Sequence, residues 1–149
     1  MTEKHLIAQA KDLTTDFPRS PHERLGGFVI AGRALDKCRS LLAGTNGDYN
    51  FDCPLDNFFF GFSKITADAL KEIAATGADD EAVSKWLCET SPVSEDAKKL
   101  WNMRMRHTRP IDLPMQLQLF LEGYIPEVIP SDRRVYTWFD VYDIEENRI

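Results

Sequence analysis

From residue 20 onward the apolar positions recur mostly at intervals of three and four, the period of a helix with one buried face. In SPHERLGGFVIAGRALDKCRSLLAG the stripe is Leu25, Phe28, Leu35, Cys38 and Leu42, and the opposite face carries Arg33, Asp36, Lys37 and Ser40. Ser20 is a good N-cap, Pro21 suits the first helical position, and Glu23 completes a capping box. Gly44 is a natural stop. The pattern predicts a helix from Ser20 to Gly44, or one that starts only after Gly27. Gly26, Gly27 and Gly32 each cost about 1 kcal/mol inside a helix, so something comes close to the backbone there, either another helix or a ligand.

The polar stretch GTNGDYNFD follows, with a tight turn at Asn46-Gly47. Tyr49 and Phe51 alternate with polar residues, which suits a small β-hairpin near 46–51. Asp52 or Cys53 then caps a second helix, with Pro54 at its first position and Asp56 in its first turn. ITADALKEIAATG predicts a third, capped by Thr66, stapled by Ile65 and Leu70 and stopped by Gly77. DDEAVSKWLCET predicts a fourth that buries Val83, Trp86 and Leu87. SEDAKKLWNMRMRH predicts a fifth, capped by Ser94, with Ala97, Trp101 and Met105 inside. MQLQLFLEG reads as a helix ended by Gly123, YIPEVIPSD as a rigid connection, and RRVYTWFDVYDIEEN as a last helix. The fold class expected is all-α, a single-domain bundle of about six or seven helices over residues 18–149, behind a loosely held lead-in at 1–17.

Composition narrows the function classes. A chain of 149 residues, 43% hydrophobic and 28% charged, fits one soluble domain. Its apolar runs fall far short of the roughly 18 residues that span a bilayer, so no membrane partner is expected. A net charge of -6 disfavours nucleic acid, and the basic run KKLWNMRMRHTR is read as the solvated face of a helix. Cys38, Cys53 and Cys88 form no CxxC pair, and His5, His22 and His107 no metal spacing. Reduced thiols in a cytoplasmic protein, with no metal and no cofactor, are the expectation.

Four phrases, PRSPHERLGGFVI, RALDKCRSLLAG, NGDYNFDCPLD and TWFDVYD, occur in an order that resembles one bacterial family, the domain of unknown function numbered 5069. The first three nearly fill residues 18–56. Residues 90–130 depart from the family's pattern, and Asp52 stands where family members usually have asparagine. The resemblance implies a fold and no activity. It draws attention to Arg19, Arg33, Asp36, Lys37, Tyr49, Cys53 and Asp56.

Arg33, Asp36 and Lys37 are three and four apart, so they share a helix face that can meet the loop at 49–56. Two carboxylates, a phenol and a thiol around a cleft suit acid/base or nucleophilic chemistry, and a helix N-terminus favours a thiolate. On this reading the protein binds a small organic molecule, as a binder or an enzyme. Asp36, Tyr49 and Asp56 are the candidate catalytic residues, and Arg33, Lys37, Asp52, Cys53 and Phe59 the ligand-binding ones. The plainer reading leaves Asp36 paired with Arg33 or Arg19, Asp56 serving its own helix, and Cys53 and Tyr49 in the core. The rival function is a protein-interaction module without chemistry, docking through Phe58 to Phe60, Trp138, Tyr142 and the basic helix.

Overall fold

Glu23 makes its half of a capping box with Ser20, yet no helix follows them. Ser20 N donates to Glu23 Oε2 over 3.2 Å, and His22 N to Ser20 Oγ over 3.2 Å. The chain instead forms two short antiparallel strands, β1 (Arg24–Leu25) and β2 (Phe28–Val29), with Leu25 opposite Phe28. Gly26 and Gly27 join them at φ 59° and 83°. Two successive left-handed residues are what a two-residue hairpin turn requires, and glycine adopts them without steric cost. Ile30, at φ 72°, turns the chain again into α1 (Ala31–Ala43), which Gly44 ends at φ 75°. The small hairpin thus lies at 24–29. The 46–51 segment is a pair of turns instead, because Tyr49 and Phe51 are engaged with Arg33 and Phe60 and have no strand partner.

The computed structural model describes residues 9–149. Of the expected lead-in, residues 1–8 lie outside the described residues, as does His5. Residues 9–17 are tied down: Lys11 O accepts from Ser40 Oγ and Thr45 Oγ1 at 2.7 and 2.9 Å, Leu13 N donates to Thr45 O over 2.8 Å, and Leu13 is buried.

Two compact units divide the chain, the first ending at Lys99 and the second running from Leu100 to Ile149. In the first, α2 (Pro54–Ser63), α3 (Ala67–Ala75) and α4 (Asp80–Thr90) follow α1. Thr66 and Asp79 cap α3 and α4 through Ala69 N and Ala82 N. Phe28 is fully buried, with the rings of Phe59 and Phe62 edge-on at 5.3 and 6.1 Å. Of the three successive phenylalanines, Phe59 and Phe60 fill the core and Phe58 is the one turned partly outward, as a 100° step per residue demands. The glycine turn packs on helices: a Cβ on Gly26 would lie 2.9 Å from Leu87 Cβ, and one on Gly27 3.1 Å from Lys98 Cδ.

The fifth helix, α5 (Glu95–His107), runs from the first unit into the second. Lys98, expected on a solvated face, is only 2% exposed: its ammonium donates to Gly26 O and Glu95 Oε1 and sits 4.6 Å from the Phe28 ring centre. The second unit adds a 3-10 turn at Pro110–Asp112, then α6 (Met115–Val128) and α7 (Trp138–Glu145). α6 passes Gly123 and includes Pro126, so the expected connection is partly helix. Pro126 has no N–H to bond back to the Glu122 carbonyl, and the helix ends two residues later, at Val128. Ile129, Val141 and Ile144 form this unit's apolar centre, with Tyr124, Ile125, Val128 and Val135 packed against it.

The fold is mostly α, with seven α-helices and one small hairpin among the described residues. No helix among them is long and apolar enough to cross a membrane.

Candidate functional site

From Ala31 to Ser40, α1 is buried on every side. Its supposed polar face is covered, so Arg33, Asp36, Lys37 and Arg39 must find counter-charges or hydrogen bonds inside the protein. They do so in three places.

Asp36 pairs with Arg19. Its Oδ2 accepts from Arg19 N and Nε at 2.8 and 3.1 Å, its Oδ1 from Nη2 at 3.0 Å, and Lys11 Nζ lies 3.7 Å away. Arg19 reaches on to Asp80, in the first turn of α4, where Arg39 Nη1 also donates over 2.7 Å. Burial pushes the Asp80 carboxyl up, but the hydrogen bond from Arg39 and the charges of Arg19 and Arg39 outweigh it and hold the group below its ordinary value. Burial likewise opposes the charge on Arg19, and the hydrogen bond and charge of Asp36 override it, so its pKa rises.

Arg33 lies with its guanidinium carbon 5.7 Å from the centre of the Tyr49 ring, a cation–π distance, and donates through Nη1 to Arg19 O over 3.2 Å.

Lys37 points to the start of α2. Cys53 is the N-cap there in extended backbone, Pro54 follows at the first position, and Asp56 lies one turn in. Asp56 Oδ2 accepts the backbone N–H of Asp52 over 2.9 Å. Its Oδ1 lies 2.9 Å from Lys37 Nζ as an ion pair, outside hydrogen-bonding angles, so that this buried oxygen accepts no hydrogen bond. The same ammonium donates to Cys53 Sγ over 3.2 Å. Lys37 is 3% exposed and Asp56 0%, whereas Cys53 is half-buried and is the member of the three that solvent touches. One ammonium is thus shared between a thiol and a carboxylate at the positive end of a helix.

Lys37, Cys53 and Asp56 therefore come together as expected, and Arg33 meets Tyr49 beside them in the chain. Asp36 belongs to the Arg19 network instead. Asp52 is exposed at φ 64°. Asp is among the residues that tolerate that left-handed conformation, so no ligand is needed to account for it here. Phe59 fills the core against Phe28 and does not line a cleft. A shallow hollow does lie over α2, lined by Pro54, Asn57, Phe58, Gly61 and Phe62, next in sequence to Cys53. Arg39 and Asp80 escaped the sequence reading, which placed the buried Lys98 on a solvated face. The signal for Arg39 was its place three residues after Asp36, on the same helix face.

Among curated proteins none matches this chain. Over residues 15–148, nearly its whole length, it matches one family, and it belongs to that family, the domain of unknown function DUF5069.

Proposed function

We propose that this protein binds a small electrophilic or oxidising organic molecule and reacts with it through Cys53. The observation that carries the reading is the Lys37 ammonium 3.2 Å from Cys53 Sγ. Cys53 is the nucleophile, and Lys37 sets a positive charge against the sulfur as it attacks. Asp56 holds Lys37 in place, and the hollow over α2 receives the apolar part of the molecule. Asp36 has no role in this chemistry, since Arg19 occupies it. Three unpaired cysteines suit a reducing, cytoplasmic setting.

Alkylation by iodoacetamide at neutral pH, followed cysteine by cysteine, tests the proposal. Cys38 is an internal control, because burial pushes its thiol up to about 12. Cys53 is expected to react faster than Cys88, although Cys88 is the more exposed. Lys37→Met is expected to slow Cys53 about tenfold, the effect of ~1.4 kcal/mol of lost charge stabilisation. Lys37→Arg, which keeps the charge, retains most of the rate if Lys37→Met proves unstable. A Cys53 slower than Cys88 in the wild type rules the reading out.

A second reading is favoured by α6. Its segment is rich in Met, Leu and Phe, yet Leu121 is its only buried residue, and Met115, Leu119 and Phe120 are more than half exposed. An apolar helix left so open suits a docking surface for another polypeptide. Of the docking residues expected from sequence, Phe59, Phe60 and Trp138 are buried and cannot serve, while Phe58 and Tyr142 are partly exposed.

A further inference from the structure

Oxidation of a thiol gives a sulfenic acid, whose fate depends on the nucleophile nearest to it. One common route closes a ring onto the backbone nitrogen of the following residue. That route is shut here, because Cys53 is followed by Pro54, which carries no N–H. Capture by another thiol is not prepared either: Cys38 is fully buried in the core, and Cys88 Sγ lies against Gly26 O and Lys98 Nζ. The nitrogen that touches the sulfur is Lys37 Nζ at 3.2 Å, and a carboxylate oxygen that accepts no hydrogen bond lies 2.9 Å from that same nitrogen.

We infer that peroxide oxidation of Cys53 ends in a covalent sulfur–nitrogen bond to Lys37, tying α1 to the start of α2. The inference rests on Cys53 being the reactive thiol. Hydrogen peroxide is the oxidant. In the first step its O–O bond breaks, Cys53 sulfur gains a hydroxyl, and water leaves. In the second the ammonium of Lys37 gives a proton to Asp56 and the freed amine attacks sulfur. The S–O bond breaks, and the departing hydroxide takes a further proton from nitrogen and leaves as water. The products are a sulfenamide, a neutral Asp56 and water, so charge and hydrogens balance and sulfur alone has been oxidised. Asp56 matters twice. It is the base for the ammonium, and once protonated it does not remain as an unpaired buried anion. A thiol reductant reverses the bond by attacking sulfur and releasing the amine.

The protein carries its own comparison. Cys88 Sγ lies 3.8 Å from Lys98 Nζ, but that ammonium is also committed to Gly26 O and Glu95 Oε1. The bond is expected at Lys37–Cys53 and not at Lys98–Cys88.

The experiment treats the folded full-length chain with a small excess of hydrogen peroxide, then measures intact mass and maps tryptic peptides, with iodoacetamide labelling of an untreated sample alongside. The expected result is a mass lower by about 2 Da, a peptide in which Lys37 and Cys53 are joined, and full reversal by dithiothreitol. The linked peptide is expected to vanish in Cys53→Ser and in chain oxidised under denaturant, where proximity is lost. Cys53 carrying added oxygen while Lys37 stays free, a bridge that retains oxygen, or a link only at Lys98–Cys88 would each overturn the inference. If Cys53 is readily alkylated but no link forms, the inference fails and the reactive thiol stands. If Cys53 is not alkylated, both fall.

Discussion

Asp36 on α1 receives three hydrogen bonds from one residue, Arg19, through its backbone N, Nε and Nη2 at 2.8, 3.1 and 3.0 Å. The guanidinium lies flat enough on α1 that a Cβ at Gly32 would sit 3.2 Å from Arg19 Nε. Glycine inside this helix leaves the pair its room: a side chain there would press the guanidinium aside by a few tenths of an ångström. The pair fastens the segment before the hairpin to α1, and through Asp80 it also holds the first turn of α4.

Asp36→Asn is expected to destabilise the protein by about 3 kcal/mol, because it leaves a largely buried guanidinium without its main partner. Urea unfolding of the two proteins measures this. A loss below about 0.5 kcal/mol, the range of ordinary surface changes, would mean that the network adds little to stability.

Asp80 gives the network a pH signature. Its folded-state pKa is depressed from 3.8, so the stability it contributes is present above that value and is lost as pH falls through the lower, folded value. Asp80→Asn is expected to lower Tm modestly at pH 6 and to leave it nearly unchanged in strong acid. Solvent reaches about half of the Asp80 side chain, which keeps the effect small. A Tm difference that stays constant from pH 6 down to pH 2 would show that the depressed carboxyl is not the cause.

What could be read from the sequence was mainly local. Thr66, Asp79 and Ser94 cap helices through neighbours three residues on, and Gly44 and Gly77 end them by their own backbone, so each was recognisable in place. Ser20 and Glu23 give the same local signal, but the Ser20 hydroxyl accepts from His22, two residues on, and Gly26-Gly27 diverts the chain six residues later. Burial of the polar face of α1 was not legible. It depends on residues 9–19 folding back over that face, and periodicity reports only which side of a helix is apolar. The meeting of Lys37 with Cys53 and Asp56 was half legible: residue types and family-like phrases named the three, but neither told that one ammonium would serve both partners. Lys98 was misjudged because its partners, Gly26 O and the Phe28 ring, are about 70 residues away in the chain.

Gly26 and Gly44 separate two costs of replacing glycine. Both have positive φ, but the space around Gly44 is open, while a Cβ on Gly26 would lie 2.9 Å from Leu87 Cβ. Gly44→Ala is expected to cost about 1 kcal/mol, the strain of the left-handed backbone alone. Gly26→Ala adds overlap with a fully buried leucine, for a total of about 2 to 4 kcal/mol. Equal losses in chemical denaturation would mean that the hairpin does not press on α4 as described.

The outward side of α6 gives the last test, since folding and docking make opposite demands on it. Met115 and Leu119 are one turn apart and mostly exposed, so the fold gains little from their apolar character. Leu119→Lys is therefore expected to change folding stability by no more than about 0.5 kcal/mol. If α6 docks against a second copy of the chain, the wild type sediments as a dimer at high concentration and Leu119→Lys as a monomer. A wild type that is monomeric at every concentration, and that shows no gain in solubility on Leu119→Lys, would remove the reason to treat α6 as a surface for its own kind. The variant lies in the second unit and Cys53 in the first, so the thiol chemistry can be followed in the same sample. An unchanged alkylation rate at Cys53 would then show that the α6 surface and the Cys53 site act independently.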